Sequence, residues 1–295
     1  MTESRDIVLP KYFLLDREQG GRNAILMGAP GEGKTSLLQY LTYLACKGKN
    51  IYGQPRQPQE CLWRARKHDK YLEFFNLGIG KLMLPEGSDY SLLKVYDDDR
   101  EQEITLDDLE DEGIDYALYA GSQDIIRNLE EGKVLCILYP GSAIEETAFY
   151  ADLFSQLVDR KSRKWVHICI DEADDILGPY SSDSYKVQQK FINSASDFRK
   201  TMVNSVFATH DYRNLDYRLL PKTKWHMYKK GAKRMQGEPT KLKQDYINAL
   251  QLEEAELVFG AFFDKFTYPP MKKENRLDYK LQTISRRFEV QQEGP

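Results

Sequence analysis

Cysteine is scarce in this 295-residue chain: Cys46, Cys61, Cys136 and Cys169 are the only four, and they lie far apart. None forms the close Cys or His pairs that a zinc site uses, and so few thiols build no disulfide scaffold, so all four are expected as reduced, buried side chains. Long apolar runs are missing as well. The longest, such as Val134 to Tyr139 and Leu257 to Phe263, fall well short of the roughly 20 residues that cross a bilayer, so no membrane insertion is expected. Residues 1–10 carry two acids, one base and no apolar signal core, which predicts a cytoplasmic protein rather than an exported one. Internal repeats and low-complexity tracts are also lacking. A chain of this length buries about 75% of its unfolded surface and needs no covalent staple. The expected organisation is a single domain over 1–295, with 50–131 as a variable, insertion-like segment and 270–295 as a tail.

Charge is present in quantity but unevenly placed. The formal net charge is −4, yet residues 97–112 hold ten acids and one base, whereas residues 222–243 hold eight bases (Lys222, Lys224, Lys229, Lys230, Lys233, Arg234, Lys241, Lys243) against Glu238. Blocks of like charge repel, so the acidic tract reads as an open surface excursion. The basic tract either solvates a loop or neutralises the phosphates of a polyanion.

The first chemical signal is Gly28-Ala-Pro-Gly-Glu-Gly-Lys-Thr35, which fits G-x-x-x-x-G-K-[ST]. It follows a short apolar run, Asn23 to Met27, and precedes Ser36 to Cys46, whose Leu37, Leu38, Leu41 and Leu44 have helical spacing. Strand, loop and helix in that order are the context the motif needs. Gly28, Gly31 and Gly33 allow a tight turn whose N–H groups, with those of Ala29, Pro30's neighbours, Glu32 and Ser36, face phosphate oxygens near a helix N-terminus. Lys34 supplies a positive charge to the β and γ phosphates and Thr35 a hydroxyl to Mg²⁺.

The second signal concerns the fate of the γ-phosphate. Trp165 to Ile170 reads as a buried strand that ends in Asp171-Glu172. An acid there joins the Mg²⁺ shell, and the adjacent Glu172 is placed to deprotonate water, a group that small-molecule kinases need less. The pair favours ATP hydrolysis. Asp171-Glu-Ala-Asp174 also spells a helicase box, but residues 235–295 are too few to supply the second motor domain such enzymes require.

Gly132 to Pro140 and Asn204 to Ala208 read as further buried strands, and apolar pairs recurring from Glu145 to Val158 predict an amphipathic helix between strands. Alternation of this kind predicts an α/β fold with a mainly parallel central sheet flanked by helices, and with additional strands near the C-terminus. Thr209 and His210 then fall at a carboxyl strand edge, with His210 the first candidate to read the γ-phosphate. Trp63, Arg64, Arg66, Lys67, His68, Lys70 and Tyr71 interleave basic and aromatic residues, either as a nucleic-acid contact or as a half-exposed strand edge.

Gly28 to Thr35, Ile168 to Glu172, Phe198 to His210 and the run from Leu215-Asp-Tyr-Arg218 into Trp225-His-Met-Tyr228 together resemble the HerA/FtsK superfamily of P-loop ATPases, including its viral DNA-packaging and Zot-like branches. The resemblance covers residues 20–50 and 130–270. Many members carry glutamine where this chain has His210. The resemblance implies an ATP-driven translocase of double-stranded DNA that acts as a homo-oligomeric ring, a hexamer, of the kind that loads a genome into a particle with a capsid or membrane-associated partner. It implies an arginine supplied in trans, with Arg199, Arg213 and Arg218 as candidates. Lys229, Lys230, Lys233 and Arg234 are the expected DNA contacts. A nucleotide-gated assembly or secretion factor of the Zot-like type, and a helicase-like ATPase, are the competing readings.

Overall fold

A computed structural model describes residues 21–50, 54–65, 71–95, 101–162, 164–178, 184–269 and 278–286. In chain order its elements are β1 (Asn23–Met27), α1 (Lys34–Cys46), β2 (Glu60–Ala65), α2 (Leu72–Asn76), β3 (Gly80–Pro85), β4 (Ser88–Val95), β5 (Glu101–Thr105), β6 (Tyr116–Tyr119), α3 (Ser122–Arg127), β7 (Val134–Leu138), α4 (Ala143–Asp159), β8 (Val166–Ile170), α5 (Asp174–Leu177), α6 (Tyr185–Asp197), β9 (Val203–Thr209), β10 (Trp225–Tyr228), α7 (Gln244–Asn248), β11 (Glu254–Phe259), β12 (Phe262–Thr267) and β13 (Asp278–Arg286).

Ten strands form one sheet in the order β12-β11-β10-β1-β9-β8-β2-β7-β3-β6. Every pairing from β10 to β6 is parallel, and β11 and β12 close the other end antiparallel. The central strands read as unbroken apolar runs because both of their faces are covered. Alternate residues go to opposite sides: Ala24 and Leu26 pack with Leu37, Leu38 and Leu41 of α1, while Ile25 and Met27 join the cluster that holds Phe154 of α4 and Phe191 of α6. Phe154 meets Phe191 at 4.5 Å and Phe198 at 4.9 Å between ring centres, which ties α4 to α6 and to the end of the chain's run toward β9.

The segment 50–131 departs from its expected insertion-like character. It contributes β2, β3 and β6 to the central sheet, with β2 inserted between β8 and β7. Trp63 and Arg64 are buried, so β2 is a covered central strand and not a half-exposed edge. Local pattern shows that a strand exists; its neighbours are decided by pairings far along the chain. The acidic tract is likewise ordered in part, with residues 101–105 pairing as β5 against β4, and residues 278–286 of the expected tail pair with β4 as β13. Arg66, Lys67, His68 and Lys70 lie outside the described residues.

All four cysteines are buried and unpaired. No helix among the described residues is long and apolar enough to cross a membrane.

His167 of β8 has no solvent exposure, and its Nε2 lies 3.2 Å from the Cys169 sulfur. Burial pushes its pKa down to about 3, so the folded chain holds it neutral. The unfolded chain takes up the proton first, and the His167 contribution to stability is therefore lost as pH falls through the ordinary histidine value toward 3. Between pH 7.5 and 5.5 the unfolding free energy should drop by about 1.4 kcal/mol more in wild type than in His167→Gln. Urea titrations at the two pH values check this, and equal drops in both proteins would remove His167 as the source.

Candidate functional site

The site lies where β1, β9, β8 and β2 end, and it begins with the glycine-rich turn between β1 and α1. Strand order, turn and acid-bearing strand together make this a P-loop NTPase fold. Gly33 sits at φ 78° as the residue before α1, and a Cβ there would meet the Tyr268 hydroxyl at 3.1 Å and the Leu252 carbonyl at 3.2 Å. At Gly28 the constraint is close approach, since a Cβ would lie 2.6 Å from that of Lys229. The turn is braced from the side by residues after β10: Lys229 N donates to Met27 O at 2.7 Å, and Ala29 N donates to Lys230 O at 3.1 Å.

Lys34 opens α1 and is buried. Its ammonium donates to Gly28 O at 2.8 Å and Ala29 O at 3.0 Å, and lies 2.8 Å from His210 Nδ1. An ammonium only donates, so Nδ1 is the acceptor and the imidazole proton sits on Nε2. Thr209, by contrast, is buried and gives its hydroxyl to Asp211 O at 3.1 Å. The structure therefore brings His210, not Thr209, to the lysine.

Thr35 Oγ1 donates to Asp171 Oδ2 at 2.7 Å, which joins the loop to the end of β8. Among the described residues no three His, Cys, Asp or Glu side chains gather to hold a metal by themselves. A hydroxyl and a carboxylate oxygen side by side fit Mg²⁺, which takes one or two protein oxygens and completes its shell with waters and substrate phosphates. Glu172 follows at φ 52°, the single non-glycine positive φ among the described residues, and its N–H donates to Asp171 Oδ1 at 3.0 Å.

Under this turn lies a buried cation. Arg64, considered as a nucleic-acid contact, is buried and grips Glu146 with Nε at 2.6 Å and Nη2 at 2.9 Å. Its Nη1 donates to Asp171 O at 2.9 Å and Glu172 O at 3.1 Å. Burial alone would lower the guanidinium pKa, but the Glu146 hydrogen bonds and charge outweigh it and raise the value. The signal in the sequence was a lone charge inside the apolar strand Cys61-Leu-Trp-Arg-Ala65, a pattern that calls for a buried partner.

Two of the expected DNA contacts are also corrected. Lys229 has no solvent exposure; its Nζ donates to Glu254 O at 2.5 Å and to Leu252 O, with Gln251 O at 3.5 Å and the Tyr268 ring centre at 4.8 Å. Arg234 is half-buried and donates through Nη1 to Leu242 O at 2.8 Å and Pro239 O at 3.1 Å, stapling its own loop. Lys230, Lys233, Lys241 and Lys243 are exposed on the loop after β10; Lys230 follows the strand at the nucleotide edge of the sheet, and Lys233 lies 3.4 Å from Asp211, next to His210. Lys222 and Lys224 are exposed too, but they precede β10 and so lie at the opposite edge.

The three candidate arginines part company. Arg218 chelates Asp216, donates to Gln189 at 2.8 Å, covers the Tyr185 ring at 4.3 Å and is only 12% exposed, so it serves its own chain's structure. Arg213 is 57% exposed and pairs with Asp211 through Nε at 3.0 and 3.1 Å. The Arg199 side chain lies outside the described residues.

No protein-family model and no curated protein matches the sequence. Solved structures do. The genome-packaging NTPase of Sulfolobus turreted icosahedral virus 2, in complex with AMPPCP, is 10% identical, with 84% of this chain and 98% of that chain covered at a TM-score of 0.49. The DNA-packaging ATPase of Sulfolobus turreted icosahedral virus is 12% identical over 85% of this chain and 98% of that one, at a TM-score of 0.44. The N-terminal domain of zonular occludens toxin from Neisseria meningitidis is 11% identical over 85% and 95%, at a TM-score of 0.35.

Proposed function

We propose that the protein hydrolyses ATP and couples the reaction to movement along double-stranded DNA, working as a ring. The observation that carries the hydrolytic half is the convergence of Lys34, Thr35, Asp171, Glu172 and His210 at one end of the sheet, with Thr35 bonded to Asp171 at 2.7 Å and Lys34 to His210 at 2.8 Å. The translocase half rests on the sequence resemblance and on the exposed lysines Lys230 and Lys233 beside the site, with Lys241 and Lys243 exposed on the same loop.

The triphosphate lies along the N–H groups of the Gly28–Gly33 turn, with the Lys34 ammonium against the β and γ phosphates. Thr35 Oγ1 and the Asp171 carboxylate are the residues that would hold Mg²⁺, which when bound neutralises charge on the β and γ oxygens. Glu172 accepts a proton from water as its oxygen bonds to the γ-phosphorus, and the bond from that phosphorus to the bridging oxygen breaks to give ADP and inorganic phosphate. His210, with its proton on Nε2, has a donor for a γ-phosphate oxygen. The arginine expected in trans is assigned to Arg213, the most exposed of the candidates whose side chains are described, which would exchange Asp211 for a neighbour's γ-phosphate.

Glu172→Gln should retain ATP binding and lose turnover by about 10²-fold or more, since a general base contributes on that order. Lys34→Ala should weaken binding as well. Steady-state hydrolysis alongside fluorescent-nucleotide titration separates the two, and wild-type turnover in Glu172→Gln would sink the assignment.

Affinity for duplex DNA should fall with salt by about 0.9 log units per log unit of salt for each phosphate neutralised. Charge reversal at Lys230, Lys233, Lys241 and Lys243 should flatten that slope, whereas Lys229→Met should leave the slope alone and lower the melting temperature. An unchanged slope in the fourfold variant would favour a nucleotide-gated factor that does not grip DNA through this surface.

A further inference from the structure

One buried ion pair is not used by the chemistry above. Arg64 and Glu146 have side-chain exposures of 1% and 2%. Replacing a buried pair of this kind by apolar side chains of similar volume is often neutral or stabilising, so core stability alone does not account for it. What an apolar pair could not do is bind backbone. Arg64 spends Nε and Nη2 on Glu146 and directs Nη1 at two successive carbonyls, those of Asp171 and Glu172. Between those carbonyls lies the φ of 52° at Glu172, a conformation that a side-chain-bearing residue keeps only when its surroundings hold it.

Glu146 is itself fixed. It lies in the first turn of α4, which starts in a reciprocal Ser142–Glu145 capping box. The next residue, Thr147, donates its hydroxyl into the backbone at Ala143 O, 2.6 Å, and lies 2.9 Å from Ile176 O. The N-terminal turn of α4 thus reaches both ends of the segment from Asp171 to Ile176. On the far side, Ala173 N donates to Ala208 O at 2.7 Å, two residues before His210.

We infer that Arg64, anchored by Glu146, is a positioning residue for Glu172: by holding the carbonyls of Asp171 and Glu172 it fixes the left-handed turn that aims the Glu172 carboxylate at the attacking water. The inference rests on the reading of Glu172 as the base. A planar guanidinium can hold a carboxylate with two nitrogens and two carbonyls with the third, whereas the single ammonium of lysine cannot serve both sets at once.

The test compares wild type with Arg64→Lys, the double variant Arg64→Met/Glu146→Leu, and Glu172→Gln, reading kcat, the Kd of a fluorescent ATP analogue and the melting temperature of each. Arg64→Met alone is avoided because it would strand a buried carboxylate. Both Arg64 variants should keep nucleotide affinity within about twofold while kcat falls by about 100-fold, the cost of misplacing a catalytic group by about 1 Å. The double variant should fold but melt below wild type, because the Asp171 and Glu172 carbonyls lose their donor. A purely structural role predicts instead that the well-packed double variant has wild-type kcat, and that result overturns the inference. Should the double variant fail to fold, wild-type kcat in Arg64→Lys overturns it equally. If Glu172→Gln is inactive while the Arg64 variants are active, only the positioning role is lost; if Glu172→Gln turns over like wild type, the base assignment falls and the inference with it.

Discussion

Backbone leaving the carboxyl edge of a parallel sheet must turn back sharply, and in doing so it directs carbonyls inward where no strand can pair with them. An unpaired buried carbonyl is costly. Two buried cations supply donors at this edge, one where the chain leaves β8 and one where it re-enters the sheet at β11. Arg64 takes the carbonyls of Asp171 and Glu172, and Lys229 takes those of Leu252 and Glu254. Both are expensive to bury. Glu146 offsets the cost for Arg64. For Lys229, burial pulls the pKa down to about 8, against the opposing pull of Glu253, Glu32 and Glu254.

The second of these cations explains why the antiparallel strands after β10 matter to the nucleotide loop. The Lys229 side chain passes beneath Gly28 and reaches the turn that starts β11. Tyr268, which follows β12, places its hydroxyl 3.1 Å from Gly33 O and 3.0 Å from Leu252 O, and its ring stacks on Tyr40 of α1 at 5.9 Å. The loop is therefore held from outside by β10 to β12, and its shape depends on residues more than 200 positions away. Any side chain at Gly33 would press on that outer wall.

The parts of this arrangement legible in the sequence were those written locally. A strand, a glycine-rich turn and a helix are contiguous, so Gly28 to Thr35 could be read directly, and so could Asp171-Glu172 at the end of an apolar run. The place of β2 could not be read. Cys61-Leu-Trp-Arg-Ala65 has the composition of a strand, but insertion between β8 and β7 follows from pairing with segments about 70 and 105 residues away. The same limit applies to Lys229. In the sequence it is one base among eight, and only the fold places the carbonyls of residues 251–254 around it while leaving Lys230 in solvent. Charge along a chain reports composition; the burial of a given charge depends on which distant backbone needs it.

The remaining polar contacts form a path that begins at the nucleotide loop and ends at the basic surface. Lys34 touches His210, and the next residue, Asp211, binds Arg213 and lies 3.4 Å from Lys233. The Arg213 hydrogen bonds hold the Asp211 carboxyl down to about 2 against a smaller opposing effect of burial, so the group stays ionised across any working pH. One end of the path is thus an ammonium that phosphate oxygens would compete for, and the other is a permanent anion shared by two exposed cations. His210 and Asp211 are consecutive, so a single peptide unit separates the Lys34 contact from the contacts of Asp211. On the proposed reading, this one-residue step is the route from the γ-phosphate to Arg213 and Lys233. On the same reading, a polyanion that draws Lys233 away from Asp211 would leave that carboxylate to Arg213 alone and so oppose the transfer of Arg213 to a neighbouring subunit's nucleotide.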